Sequence, residues 1–185
     1  MVWCRLAPCR IDSLGELFLY SYVVNTWFQT KCWLWMKELG LQDDYSWISI
    51  KQEERAIEKA RRSYGGVVQR LLDIVRGSLV VDNLAQVEQL LEIVAADTDV
   101  EIVRGKNRFS SDMKDLYRDV QLTVRCKAFS FDALPGYDAA RTPLIKAHTC
   151  KKLCAEVQIH LRSFYDFKNE QSHTDYKKYR AIMGE

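Results

Sequence analysis

Glu156, Gln158 and His160 alternate with Val157, Ile159 and Leu161, the period-two pattern of a strand with one polar and one apolar face. A carboxylate, an amide and an imidazole on one face can hold a cation, take a proton and donate hydrogen bonds. Buried polar groups must be bonded, hydrated or metal-bound, so such a face either lines a cleft or forms the wet side of an edge strand. A second carboxylate, Asp73, stands just ahead of a short apolar strand at 78–82, with Gly77 permitting a close backbone approach. Alone it reads equally well as a turn residue. Two converging carboxylates suit Mg²⁺, a hard ion that takes one or two carboxylates together with substrate phosphates. Lys106 and Arg108 follow another strand and supply cations for phosphates, unless they are simply a solvated basic loop. Tyr117, beside Arg118 and Asp119, is placed either to stack on a base at a strand mouth or to sit half-buried in a sheet. Taken together these residue types describe a phosphate-and-nucleotide site.

The elements that must position them follow from periodicity. A charged, alanine-containing helix spans 51–64 and stops at Gly65-Gly66, and a helical turn or two is expected over 67–75. After the strand at 78–82, Asn83 is a good N-cap for an amphipathic helix reaching about Ala96, with Leu84, Val87, Leu90, Leu91 and Val94 as its buried stripe. Further strands are expected at 100–103, 117–125 and 156–161. Between the last two lies a segment with Pro135 and Pro143 and a helix from about 143, and the tail from 162 to 183 reads as one or two helices. Strands alternating with helices give an α+β class with a mixed sheet of four to five strands flanked by helices.

Composition bounds the rest. The 185 residues are 48% hydrophobic and 28% charged, which suits a folded domain with a sizeable core. A net charge of +2 creates no global field for nucleic acid, so DNA is not an expected partner and phosphate affinity must be local. Six cysteines show no framework spacing, which favours spectator thiols in a reducing, cytoplasmic compartment. A zinc site from Cys150, Cys154 and His148 is the lesser alternative. Residues 1–50 hold all five tryptophans and read as an extension distinct from the domain at 51–185. Within it, Leu17 to Met36 is apolar but broken by Asn25, Thr26, Gln29, Thr30 and Lys31. It is therefore read as a packing helix, with a membrane or interfacial segment as the minor alternative.

The ordered set D-I-V-R-G-S-L-V (73–80), K-N-R-F (106–109), L-Y-R-D-V-Q-L-T-V (116–124), E-V-Q-I-H-L (156–161) and H-x-x-Y-K (173–177) resembles the RelA/SpoT synthetase domain over roughly residues 55–180. The likeness is to a divergent branch of that family. It implies a nucleotidyltransferase-like fold and transfer of the β,γ-diphosphate of ATP to the 3′-hydroxyl of GDP or GTP, giving (p)ppGpp, with Mg²⁺. By position it implies Asp73 as metal ligand and Glu156 as metal ligand or base for the 3′-hydroxyl. Tyr117 would stack on the acceptor guanine, with Gln158 supporting the same strand face. Lys106 and Arg108 would bind phosphates, Arg118 would line the acceptor site, and His173 with Lys177 would close it. Lys59 and Arg62, beside Arg61, are candidates for ATP binding by position only.

This chain departs from the family pattern at three places: Leu116 replaces the glycine before the stacking tyrosine, Gln121 replaces a histidine, and His160 replaces the arginine after E-x-Q-x. A catalytically degenerate nucleotide-binding module and pyrophosphorylation of the tRNA 3′ end are therefore the alternative functions, and an interaction domain presenting its Trp-rich N-terminus is a third. The hydrolases of the family need a His-Asp dipeptide, whereas the three histidines here precede Thr149, Leu161 and Thr174. No hydrolase activity is expected.

Overall fold

Ser13 starts the first helix by accepting the Glu16 N–H on its hydroxyl at 3.1 Å, which satisfies one of the donors a helix start leaves open. The structure, a computed structural model, describes residues 11, 13–41, 45–46, 50–109, 118–127 and 153–166. Helix α1 (Leu14–Glu38) buries Leu17, Tyr20, Val24, Trp27, Phe28, Trp35 and Met36. These residues belong to one hydrophobic cluster with the sheet, so α1 is a packing helix. Among the described residues, no helix is long and apolar enough to cross a membrane. Lys31 docks the far half of α1, its ammonium lying 3.0 Å from Asp97 and 2.7 Å from Asp99. The Trp35 indole N–H donates to the same Asp97 carboxylate at 2.9 Å.

The two-residue strand β1 (Tyr45–Ser46) precedes α2 (Glu53–Tyr64). Acidic residues in the first turn of α2 and Arg61 and Arg62 in its last complement the helix dipole, and Gly65 at φ +60° provides the left-handed cap. The helix expected at 67–75 shrinks to a single 3₁₀ turn, Val68–Arg70. The reason is long-range: the Ile74 carbonyl accepts the Lys51 N–H at 2.9 Å, and Val75 already pairs with Ala155. Strand β2 (Val75–Val81) therefore starts three residues before the position that apolar content suggests.

Asn83 caps α3 (Leu84–Ala96) through the Gln86 N–H at 3.0 Å, and Val87, Leu90 and Val94 are buried. Leu84, expected in that stripe, is 58% exposed, because the first helical residue overhangs the packed face. Strand β3 (Val100–Asn107) runs four residues past the expected end, drawn out by antiparallel pairing with β4 (Asp119–Cys126). Strand β5 (Cys154–Leu161) passes into a short helix, Arg162–Asp166.

The sheet order is β1-β2-β5-β4-β3. Among the described strands only β2 and β5 run parallel, so the architecture is the expected mixed-sheet α+β class. Register divides the sheet into two chemistries. Leu79, Val81, Leu122, Val124, Val157 and Ile159 are buried on the side that forms the core with α1 and α3. Each such side chain removed from water contributes about 1.5–3 kcal/mol. The opposite side is polar.

Candidate active site

The polar side is assembled by register alone. Glu156 on β5 stands opposite Arg76 on β2 and Thr123 on β4, and Gln158 stands opposite Ser78 and Gln121. Arg104 and Lys106 on β3 continue the rows past Thr123 and Gln121. Alternation puts all of these side chains on one face, and all but the exposed Arg104 are half-buried. Glu156 is held in place by Gln158, whose amide Nε2 donates to Glu156 Oε1 at 2.6 Å.

Asp73 lies at the entry of β2, below this face, and is 8% exposed. Its Oδ2 accepts from Lys51 Nζ at 2.6 Å and from Lys59 Nζ at 2.7 Å. Its Oδ1 is buried and, among the described residues, has no hydrogen-bond partner. Burial pushes the Asp73 carboxyl up, but the charge of Lys59 and the hydrogen bond and charge of Lys51 outweigh it and hold the group below its ordinary value. Burial likewise pushes the Lys51 ammonium down; Asp73 opposes this, while Lys59 and Arg76 add to it. Among the described residues Arg76 has no carboxylate partner. Lys51 and Lys59 thus share a single buried carboxylate, with Arg76 near enough to Lys51 to act on its charge, a local excess of positive charge that suits a polyphosphate.

Sequence reasoning missed Lys51 and Arg76. The contact of Lys51 with Asp73 spans 22 positions, and no local pattern marks it. Arg76 was in view within D-I-V-R-G, yet its place opposite Glu156 follows only from the pairing of β2 with β5. Arg62 lies on the exposed side of α2 and pairs with Glu58 at 3.6 Å.

Arg108 is tied to Asp119 in the next row of this face, opposite His160. It is buried, with Nε donating to Asp119 Oδ1 at 2.6 Å and a terminal guanidinium nitrogen donating to Oδ2. Its backbone N–H also donates to the Asp119 carbonyl at 2.8 Å. Asn107 pairs with Val120, which carries the next residue onto Asp119, so the residue expected to bind phosphate is held by a carboxylate. His160 is also turned to this carboxylate, at 3.8 Å, and packs against Tyr165 with ring centroids 5.4 Å apart. Arg118, half-buried, immediately precedes β4. Tyr117, His173 and Lys177 lie outside the described residues, as do His148 and Cys150 of the zinc reading. Cys154 opens β5 and is buried, as are Cys32 and Cys126; all three are free thiols. Among the described residues, no cluster of three histidine, cysteine or acidic side chains is placed to hold a metal.

No protein-family model and no curated protein matches this sequence. Solved structures do. The small alarmone synthetase 2 from Bacillus subtilis superposes with a TM-score of 0.64 at 17% identity, covering 90% of this chain and 81% of its own. The small alarmone synthetase 1 from the same organism, bound to its product pppGpp, gives a TM-score of 0.64 at 17% identity, covering 90% and 83%. A GTP pyrophosphokinase family protein from Streptococcus pneumoniae gives 0.62 at 19%, covering 89% and 78%. At such identities the likeness is one of architecture, and by it this chain has the fold of the alarmone synthetases, the fold that the RelA/SpoT resemblance implies.

Proposed function

We propose that this protein is a nucleotide pyrophosphokinase that transfers the β,γ-diphosphate of ATP to the 3′-hydroxyl of GDP or GTP. The observation that carries this reading is the continuity of one polar sheet face. Two lysines on Asp73 at the entry of β2, and then Arg76, lead to a carboxylate, Glu156, that an amide holds in place. The likeness to a synthetase bound to pppGpp and to one bound to AMPCPP supports nucleotides as ligands.

In this reading Lys51, Lys59 and Arg76 bind the polyphosphate of ATP, and Lys106 reaches the acceptor's phosphates. The resemblance gives base stacking to Tyr117 and closure to His173 and Lys177. The 3′-hydroxyl oxygen attacks the β-phosphorus; the bond from that phosphorus to the α,β-bridging oxygen breaks, and AMP leaves. The hydroxyl proton passes to Glu156. Gln158 occupies Oε1 and leaves Oε2 to receive that proton. Catalysis of this kind rests on positioning and charge neutralisation more than on covalent chemistry.

In this reading Asp73 and Glu156 would hold Mg²⁺: Asp73 has a buried oxygen with no partner among the described residues, and one or two carboxylates with phosphates are the usual set for this ion. When bound, the ion would offset phosphate charge at the reacting end of ATP.

The test is incubation of the full chain with Mg²⁺, γ-labelled ATP and GDP, GTP or deacylated tRNA in separate reactions. Label is expected in GDP or GTP, with Glu156→Gln reducing the rate by about 10²-fold or more. Label only in tRNA would move the acceptor to the tRNA 3′ end. One observation favours the degenerate alternative: His160, which replaces the family's arginine, is committed to Asp119 and Tyr165. Saturable nucleotide binding without any transfer would establish that alternative.

A further inference from the structure

We propose that Asp73, Lys51 and Lys59 form a self-saturated lock, in which the carboxylate substitutes for phosphate and the two ammonium groups substitute for the divalent cation. Polyphosphate and cation then enter by exchange with these internal stand-ins. The inference rests on the reading of this cluster as an ATP-polyphosphate and cation site, and adds a competition within it.

Three features support the exchange. Both lysines bond one oxygen, Oδ2, at 2.6 and 2.7 Å, while Oδ1 is buried with nothing bonded to it. The carboxylate is thus more than compensated in charge, yet Oδ1 has no hydrogen-bond partner among the described residues, a position open to a cation once the lysines turn to phosphate. Each lysine ends in a compact point charge on a flexible four-carbon stem, so it can leave one anion for another without moving its backbone. Both also come from the same side of the molecule, Lys59 on α2 and Lys51 just ahead of it, so an anion settling beside α2 meets both together. The Lys59 side chain is 29% exposed and that of Lys51 is 9%. Lys59 is therefore the first to exchange, and Lys51 follows once a phosphate replaces its counter-charge.

The lock has a consequence opposite to that of a plain binding site. Asp73 competes with polyphosphate for the lysines, and the lysines compete with the cation for Asp73, so removing one side favours the other's external ligand. The experiment measures binding of inorganic tripolyphosphate in EDTA by calorimetry, and of Mn²⁺ alone by electron paramagnetic resonance. It uses the full chain and the variants Asp73→Asn and Lys59→Met. Asp73→Asn is expected to bind metal-free tripolyphosphate on the order of tenfold tighter than the parent, the effect of removing one charged competitor. Lys59→Met is expected to bind Mn²⁺ alone several-fold tighter than the parent, roughly the effect of one ion-pair contact. Equal or weaker tripolyphosphate binding by Asp73→Asn overturns the lock while leaving the phosphate site in place. Absence of tripolyphosphate binding in every form overturns the site reading and the lock with it. Should Asp73→Asn fail to fold, the Mn²⁺ measurement decides. Lys59 is partly exposed and tolerates substitution, and unchanged or weaker Mn²⁺ binding by Lys59→Met overturns the proposal.

Discussion

Asp73 and Asp119 are both buried carboxylates facing cations, placed at opposite ends of β5, and they are satisfied in different ways. Asp119 is 1% exposed and is met by Arg108 through both oxygens and by a backbone contact between the same two residues. Asp73 is held through one oxygen by two lysines, and its other oxygen has no partner among the described residues. A planar guanidinium matched to a carboxylate fixes geometry, whereas two flexible ammonium groups on one oxygen fix only charge. The first arrangement pins the residue after β3 to the start of β4. The second keeps cations available at the entry of β2. Burial and pairing are alike in the two pairs; they differ in the completeness of the hydrogen bonding.

The strongest way to break this comparison is to remove Asp119. Asp119→Ala strands the buried Arg108 charge, and losing one partner of a buried pair costs about 3–5 kcal/mol. The urea midpoint should fall accordingly, with the slope of the transition unchanged. Asp73→Asn should cost clearly less, because the Lys59 side chain is partly exposed and can reach water. A midpoint for Asp73→Asn as low as that of Asp119→Ala would make both pairs structural and remove the contrast.

Acid offers a milder perturbation of one side of the pair. The Asp73 carboxyl sits below its ordinary value of 3.8, with burial opposing and Lys59 and Lys51 prevailing. Asp97 is also lowered; burial opposes there too, and the Trp35 and Lys31 hydrogen bonds prevail. A carboxyl depressed in the folded state contributes stability that is present above its unfolded value, and that stability is lost as pH falls through the folded value. Unfolding free energy should therefore hold steady from neutral pH down to about pH 5 and decline below the ordinary carboxylate range. Asp73→Asn should show a shallower acid decline than the parent in denaturant melts at successive pH values. An identical decline in both would mean that Asp73 carries no such linkage.

Much of the fold was legible because its signals are local. The alternation at 156–161, the Asn83 cap and the Gly65 stop are each contained within a few residues, and β5, α3 and α2 appear where those signals put them. The early start of β2 and the length of β3 were not legible. Arg76, Arg104 and Lys106 are polar because they face the site, and polarity hides a strand from a search for apolar residues. The same cause divided the site. Glu156 and Gln158 lie on one face as their spacing suggested, Lys106 joins them from within β3 and not from the turn expected there, and Asp73 does sit just before a strand. Lys51 and the commitment of Arg108 to Asp119 follow from contacts 22 and 11 positions apart, which only the folded chain brings together.

The smallest expected effect sharpens the comparison most cleanly, because it keeps the chemistry of Asp119 and removes the burial. Arg162 Nε donates to Asp82 Oδ1 at 2.7 Å, an arginine–carboxylate pair like Arg108 with Asp119, yet the two side chains are 38% and 47% exposed. The pair joins the end of β2 to the start of the short helix after β5, so it looks as well placed to brace the sheet as the buried one. Water solvates both partners in the unfolded chain and nearly as well in the folded one, and salt screens what attraction remains, so such pairs are worth about 0–1 kcal/mol. Asp82→Asn should therefore shift the urea midpoint barely at all, and by less still in high salt. If it costs as much as Asp119→Ala, pairing rather than burial governs these carboxylates, and the distinction drawn for Asp73 would need another basis.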